Sequence, residues 1–349
     1  MKKTTLSAIA TAMAIGLSGT AYAGVAINNP AGTLLMGIND NGSLNYGTGV
    51  TSNGGSAIAP DGSGGGPGSA GIAFKFPDGT YRDATSPGCL CEGWGVSVNG
   101  TISGYANVSS DAGGNNLSYA PLVSTASTAT TSTRLTSLPG LLVTQVYQPA
   151  TNASRALFRD HVTITNTTGA AVTDLKYVRV MDWDVPPTEF REYVTIKGTA
   201  STTLLEESGD NGFNTANPLG GYANFDPVCH NADCTDSGIN DHGAYFRFNF
   251  GTLADAASYE FDIFYGAAAT EREAIAAIAA EGLELYSLGQ SSGADSAGDP
   301  SQTSGAPATY IFGFKGVGGI IIEPVPEPTT LALLGIGLAA FGAKRRRKA

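Results

Sequence analysis

The sequence predicts an all-β protein: an antiparallel β-sandwich, one large or two small, with one short amphipathic helix near the C-terminal end. Apolar and polar residues alternate in several runs, as they do in strands with one buried face. Turn-forming residues separate these runs, and 47 of the 349 residues are glycine. Alternating strands of this kind bury their apolar faces by packing sheet on sheet.

The first clear strand signal is a hairpin. Trp94, Val96 and Val98 alternate with small or polar residues and are followed by Asn99-Gly100. This dipeptide is typical of the type I′ turn that joins two strands. Further strands are predicted over 141–147, 158–165, 172–183 and 310–322. The strand over 172–183 has apolar residues on both faces, so we expect it in the middle of a sheet.

Two aromatic runs follow. Phe246, Phe248 and Phe250 alternate with polar residues, and Tyr259 begins a similar run. The short connection over 251–258 predicts that the two runs form a hairpin.

One segment has helical spacing. Thr270 and Glu273 form a capping box, and Gly282 stands where a helix would end. An apolar stripe between them predicts a helix that packs on the sandwich.

The block over 161–182, which reads VTITNTTGAAVTDLKYVRVMDWD with its flanks, resembles the Ig-like repeats of bacterial surface proteins. In those repeats a strand, an Asn-Thr/Gly turn and a second strand recur. The resemblance implies a sandwich in a surface protein.

The N-terminus predicts export. Lys2 and Lys3 precede an apolar stretch over 6–17, and Ala21-Tyr22-Ala23 fits a cleavage site. We therefore expect a signal peptide over 1–23 and a secreted body over 24–322.

The C-terminal tail, 323–349, has three parts in order. These are Pro326-Glu327-Pro328, an apolar run over 331–341, and the basic cluster that contains Arg345, Arg346 and Arg347. Extended to its polar flanks, the run would span roughly 22 Å as a helix, short of a bilayer core of about 30 Å. The tail predicts membrane contact, with the basic cluster on the cytoplasmic side.

These three parts resemble the PEP-CTERM sorting signal of Gram-negative bacteria. The resemblance implies an exosortase as partner and cleavage near Pro326-Glu327-Pro328. It also implies transport through the inner membrane to the cell surface or to the extracellular, biofilm-type matrix.

The body is acidic. Seven of the 19 basic residues lie in the two ends, and Glu327 lies in the tail. Residues 24–326, which include Glu323, then hold twelve basic and 29 acidic residues, a net charge of −17. This balance argues against nucleic acid as a partner.

Four cysteines in a secreted chain predict disulfides. A bond between Cys89 and Cys91 would close a very tight ring, which favours two bridges from these residues to Cys229 and Cys234. A local Cys229–Cys234 bond is the alternative. A four-thiolate zinc site fits the spacing poorly.

The sequence predicts no cofactor, although two acidic groups could bind calcium. Asp182 and Asp184 are two residues apart on a strand and should share a face. Asp233 and Asp236 lie in a second oxygen-rich segment, 226–242, which also carries Asp241 and His242. Such oxygen donors suit Ca²⁺, although a solvated, structural role is the simpler interpretation.

The sequence predicts a non-catalytic structural or adhesive protein of the cell surface, associated with polysaccharide. A carbohydrate- or calcium-binding module is the alternative. An extracellular glycoside hydrolase that uses Asp182, Asp184 or Glu189 is a third hypothesis, weakened because neighbouring carboxylates on one strand do not define a cleft.

Overall fold

The computed structural model describes residues 24–46, 70–86, 91–106, 114–292 and 305–322. Within them the chain forms one α-helix, Glu271–Glu281 (α1), and twenty strands. In chain order the strands are Val25–Asn28 (β1), Leu34–Ile38 (β2), Ile72–Lys75 (β3), Tyr81–Asp83 (β4), Glu92–Val98 (β5), Ile102–Ala106 (β6), Gly114–Asn115 (β7), Leu117–Tyr119 (β8), Val123–Ser124 (β9), Ala129–Leu135 (β10), Leu138–Pro149 (β11), Leu157–Asn166 (β12), Val172–Asp182 (β13), Glu192–Lys197 (β14), Leu205–Gly209 (β15), Cys234–Asn240 (β16), Gly243–Leu253 (β17), Ser258–Ala268 (β18), Leu285–Ser291 (β19) and Thr309–Lys315 (β20).

The strands form three sheets, and the predicted all-β, antiparallel architecture is confirmed. A four-stranded sheet has the order β1-β2-β3-β4. A six-stranded sheet has the order β15-β17-β13-β5-β6-β7. The ten-stranded sheet has the order β16-β14-β19-β20-β18-β12-β11-β10-β8, and β9 also pairs with β10. Buried side chains from all three sheets belong to one continuous hydrophobic core.

Aromatic side chains fill the space between the six-stranded and ten-stranded sheets. Tyr177 of β13 meets Phe261 of β18 edge to face, with ring centroids 5.0 Å apart. Phe248 of β17 lies 4.8 Å from Phe314 of β20. Such pairs add to the free energy gained by burying their surface. They hold the two sheets together as a sandwich.

The hairpin and the central strand lie where they were predicted. Asn99 and Gly100 join β5 to β6 with φ angles of 56° and 65°, as a type I′ turn requires. β13 lies between β17 and β5. Its odd-numbered residues, such as Tyr177, face the main core, and Val178 and Val180 are buried on the other face.

The predicted hairpin between the two aromatic runs is wrong. β17 pairs with β13 and β15, whereas β18 pairs with β12 and β20. The connection over 254–257 therefore crosses from the six-stranded to the ten-stranded sheet. The rings explain this arrangement, because Phe250 stacks on Tyr259 across the sandwich with centroids 4.1 Å apart. Facing apolar rows gain more burial in opposite sheets than side by side.

The block that resembles an Ig-like repeat makes a similar crossing. Its first strand belongs to β12 in the ten-stranded sheet and its second is β13 in the six-stranded sheet. Asn166 holds the turn between them, because its side-chain amide donates to the carbonyl oxygens of Ala170 and Leu253.

The helix begins and ends at the predicted residues. The Thr270 hydroxyl accepts a hydrogen bond from the Glu273 amide, and Gly282 ends the helix in the left-handed region with φ 69°. Ala274, Ala277 and Ile278 are buried against β18 and β20 in a second, smaller core.

A charged network lies inside the sandwich, where the loop over 39–45 enters the core. Arg179 of β13 is fully buried, and its guanidinium donates to the Glu92 carboxylate. It also donates to the side-chain oxygen of Gln145, at 2.8 Å, and to the carbonyl oxygen of Gly42, at 3.1 Å. Asp160 is fully buried 4.0 Å from the same guanidinium. The network joins the four-stranded sheet to the other two.

Candidate functional site

Two connections between the sheets meet at one end of the sandwich. The first leads from β13 to β14, and the second returns from β16 to β17. Their backbones are joined, because the Trp183 amide donates to the carbonyl oxygen of His242 at 2.9 Å. Asp182 is paired with Gly243 one position earlier. Residues far apart in sequence are therefore side by side here.

Four acidic residues lie at this junction. Asp182 ends β13 and Asp184 follows it, Glu192 begins β14, and Asp241 lies between β16 and β17. One carboxylate oxygen from each of the three aspartates lies within 4.8 Å of the other two. The Glu192 carboxylate borders this group, because its Oε1 accepts at 3.2 Å from the amide of Val185, the residue that follows Asp184. We call these four side chains the acidic cluster.

The backbone fixes the positions of the cluster. The Asp182 amide donates to the carbonyl oxygen of Cys91 at 2.9 Å, and the Asp184 amide donates to that of Ala84 at 2.8 Å. Trp183, between them, points into the core, where its indole nitrogen donates to the Ser287 hydroxyl at 3.1 Å. Strand alternation therefore turns both aspartates away from the core.

Several oxygens of the cluster lack hydrogen-bond donors. Both Asp184 oxygens, Oε2 of Glu192 and Oδ1 of Asp241 are buried without a hydrogen-bond partner. Among the side chains that the structure describes, these three residues take part in no ion pair. Buried carboxylates are normally hydrogen-bonded or paired, so this arrangement requires an explanation.

A neighbouring residue shows how the same fold stabilises a buried carboxylate by hydrogen bonds. Asp83 is 7% exposed, close to the 0% of Asp184. Yet its oxygens accept from the amides of Gly71 and Thr85, at 2.7 and 2.8 Å, and from the hydroxyl of Ser86 at 2.7 Å. No donor of this kind bonds to the Asp184 carboxylate. The lack of hydrogen bonds in the acidic cluster is therefore not a general consequence of burial in this fold.

Burial and mutual repulsion raise the pKa values of the cluster. Burial is the largest cause for each, and neighbouring carboxylates add to it. The pKa of Glu192 rises to about 9 and that of Asp184 to about 11, while the pKa of Asp182 lies well above its usual range. Burial also raises the pKa of Asp241. Burial and like charge therefore both disfavour the ionised form of these carboxylates.

An irregular segment, 210–233, covers the junction. A Cβ at Gly212 would lie 2.6 Å from the Cα of Asp182, so only glycine allows this approach. The Asp210 carboxylate meets the His242 ring at Nδ1, at 2.7 Å. The segment leads into a disulfide between Cys229 and Cys234, whose Cα atoms are 5.2 Å apart.

This local disulfide corrects the favoured pairing. Because Cys229 and Cys234 bond to each other, neither can bridge to Cys89 or Cys91. Cys91 is itself disulfide-bonded, and Cys89 lies outside the described residues. Sulfur atoms in disulfides do not act as thiolate ligands, so the alternative of a four-thiolate zinc site does not apply. The local bond forms because a tight turn over 226–229 brings the chain back to the start of β16.

The structure separates the other predicted acidic residues from the cluster. Asp233 accepts from the amide and hydroxyl of Thr199, at 2.9 and 2.7 Å. Asp236 accepts from the Thr195 hydroxyl at 3.3 Å. Asp233 precedes β16 and Asp236 lies within it, and neither belongs to the group of oxygens that Asp182, Asp184 and Asp241 form. Glu189 lies outside the cluster as well.

In the sequence Asp241 is grouped with Asp233 and Asp236, whereas the structure places it beside Asp182 and Asp184. Asp241 stood in the segment with Asp233 and Asp236, and Glu192 was one of several acidic residues after β13. The missing information was that β13 and β17 pair, which places their connections together. Trp94 and Trp183 are both fully buried.

Comparison with known families identifies the tail. Residues 324–347 match the family described as the PEP-CTERM protein-sorting motif. This motif marks exosortase substrates, which are exported and held at the membrane by a C-terminal tail before processing. The resemblance noted at Pro326-Glu327-Pro328 is thereby confirmed. No curated protein and no solved structure matches the chain.

The predicted membrane segment lies outside the described residues, as does the whole tail. In the described part of the chain, no helix is long and apolar enough to cross a membrane. The signal peptide predicted over 1–23 likewise falls outside that part.

Proposed function

We propose that the protein is a non-catalytic structural component of the cell surface or extracellular matrix, released to its site by an exosortase. The observation that carries this proposal is the sorting motif over 324–347. The motif is the signal that the exosortase recognises, and the β-sandwich is the folded domain that is exported.

The charge of the body supports a place in a hydrated matrix. Residues 24–326 carry a net charge of −17, as counted from the sequence. An acidic surface is soluble and repels anionic lipid and nucleic acid. We propose extracellular polysaccharide as the neighbouring material, because it would be the principal polymer outside a cell that exports matrix proteins.

The geometry of the carboxylates favours a non-catalytic role. Glycosidases hold two carboxylates roughly 5–9.5 Å apart, with the sugar between them. The oxygens of Asp182, Asp184 and Asp241 lie within 4.8 Å of one another, and both Asp182 and Asp184 are at most 1% exposed. A sugar ring cannot enter between buried carboxylates at this spacing.

Cell fractionation tests the proposed location. The protein would be quantified in the membrane, surface matrix and medium of the producing cells, with and without their exosortase. We expect matrix-bound protein in the first strain and membrane-bound protein in the second. Replacing Arg345, Arg346 and Arg347 by Gln should reproduce the second pattern, and Arg272→Gln, at an exposed position of α1, serves as the control. Equal matrix content in both strains would contradict the proposal.

A further inference from the structure

We propose that Asp182, Asp184, Glu192 and Asp241 form a calcium-binding site that joins the two sheet-to-sheet connections. The ion would lie between β13, the start of β14 and the connection from β16 to β17. The site goes beyond the sorting function and does not depend on it.

The spacing of the oxygens fits this ion. Ca²⁺ binds oxygen ligands at 2.3–2.6 Å, so two of its ligands can lie up to about 5 Å apart. The three aspartates each offer an oxygen within 4.8 Å of the others. They can therefore all contact one Ca²⁺. Mg²⁺ binds at about 2.0–2.1 Å, so its ligands are at most about 4.2 Å apart, and it demands a stricter octahedron.

Glu192 is an independent indication of a ligand. It comes from a different strand, is fully buried, and its Oε2 has no hydrogen-bond partner. Its other oxygen accepts from the Val185 amide at 3.2 Å, which fixes the carboxylate beside the aspartates. Repulsion from Asp182 and Asp241 is among the causes that raise the pKa of Glu192. Four carboxylates from three chain segments thus converge.

In the described part of the chain, no Lys or Arg side chain pairs with Asp184, Glu192 or Asp241. Arg179 is engaged by Glu92 and Gln145 inside the core, and Arg82 pairs with Asp78 on the surface at 2.7 Å. Bringing several carboxylates together without a counterion is costly, because burial and like-charge repulsion both disfavour ionisation. A bound divalent cation removes both penalties.

The chemistry of the ligands selects a hard cation. Every candidate ligand atom is a carboxylate oxygen, the type that suits Ca²⁺ and Mg²⁺ rather than Zn²⁺ or Cu²⁺. The nearest thiols, Cys229 and Cys234, are joined in the disulfide. Nδ1 of His242 is occupied by Asp210. Calcium is the ion of this class that accepts an irregular ligand set.

The expected role of the ion is mechanical. Asp182 and Asp184 belong to the connection that leaves the six-stranded sheet, whereas Asp241 belongs to the one that returns to it. A cation shared by these residues would bind the sheets at this end, as the Arg179 network does inside. The ion would also fix the position of Asp182, whose backbone lies against Gly212. It would thereby help to hold the segment 210–233 over the junction. Calcium would therefore stabilise the folded body.

Titration of the purified, chelator-treated protein with CaCl₂ tests the site. We expect one saturable binding event by calorimetry. At 100-fold excess over the dissociation constant, the Tm should rise by about 5 °C. Tb³⁺, which replaces Ca²⁺ in oxygen sites, should emit when Trp183 is excited, because Trp183 lies between two of the ligands. CaCl₂ should displace that emission.

Two variants and one control locate the site. Asp184→Asn and Glu192→Gln keep the side-chain shape and remove one charge each. In each variant the affinity for calcium should fall at least tenfold, and the calcium-dependent rise in Tm should shrink or disappear. If one variant fails to fold, the other decides. Asp233→Asn, just before β16, removes a charge outside the cluster and should behave as wild type. Absence of saturable heat in the wild type, or full calcium response in both variants, would overturn the proposal, as would a stronger response to ZnCl₂ or MgCl₂.

Discussion

Asp160 shows how a single buried side chain can control stability. It lies in the core 4.0 Å from Arg179, yet burial outweighs this attraction and raises its pKa to about 7. In the unfolded chain the same group has a pKa of about 3.9. The folded state therefore holds a proton that the unfolded state releases between these two values.

The sign of the pH dependence follows from this difference. Because the folded state binds the extra proton, stability contributed by Asp160 is present at about pH 4 and is lost as the pH rises to about 7. The loss should reach about 4 kcal/mol, at about 1.4 kcal/mol per pKa unit. Asp160→Asn stays neutral at every pH, so its stability relative to wild type should increase over this interval and then remain constant. Urea unfolding from pH 4 to 8, with calcium present throughout, measures it; parallel curves would contradict the assignment.

The loop over 39–45 is the element that connects the four-stranded sheet to the rest. The carbonyl oxygen of Gly42 accepts from Arg179 and from the Tyr147 hydroxyl, at 3.1 and 2.7 Å. The Asn41 carbonyl accepts from the Trp94 indole at 2.9 Å. The loop thus supplies backbone acceptors to groups that would otherwise be buried without partners.

Gly42 should be essential for this insertion. Its φ is +83°, and a Cβ would lie 2.0 Å from Nε2 of Gln145, which is held in the Arg179 network. Gly42→Ala should therefore cost at least about 3 kcal/mol, from backbone strain and a displaced network. Gly79→Ala is the matched control, because Gly79 has φ +86° and no atom within 4 Å of its Cβ position. That change should cost only about 1 kcal/mol. Equal midpoints in urea would show that the loop tolerates a side chain.

Local signals predicted elements better than they predicted partners. Asn99-Gly100 and the pair Thr270 with Glu273 act over a few residues, so the sequence shows their hairpin and helix directly. Alternation in β17 and β18 correctly predicted strands, but alternation does not distinguish a neighbour in the same sheet from one in the opposite sheet. That choice depends on rings far apart in sequence, such as Phe248 and Phe314.

The acidic cluster was predicted only in part for the same reason. The spacing of Asp182 and Asp184 places them on one face, which is a local property of a strand. Asp241 joins them because β13 pairs with β17, a contact between distant parts of the chain. Glu192 joins the cluster because β14, a strand of the ten-stranded sheet, begins beside these aspartates. The spacing of residues along the sequence shows neither of these two contacts.

At the scale of the whole molecule, the chain divides by function. The tail over 324–347 carries the sorting motif, and the sandwich carries the acidic cluster and the charged core. The basic residues of the two ends conceal the acidity of the body, since the full chain has a net charge of only −11. Removal of both ends would therefore produce a more acidic protein than the whole sequence suggests.

The intact mass of the protein, isolated from cells with and without their exosortase, tests the central claim most directly. With the enzyme, we predict a chain that begins at Gly24 and ends near Pro326-Glu327-Pro328. Without it, the chain should retain the tail and remain with the membrane. A C-terminus at Ala349 in both strains would contradict the account.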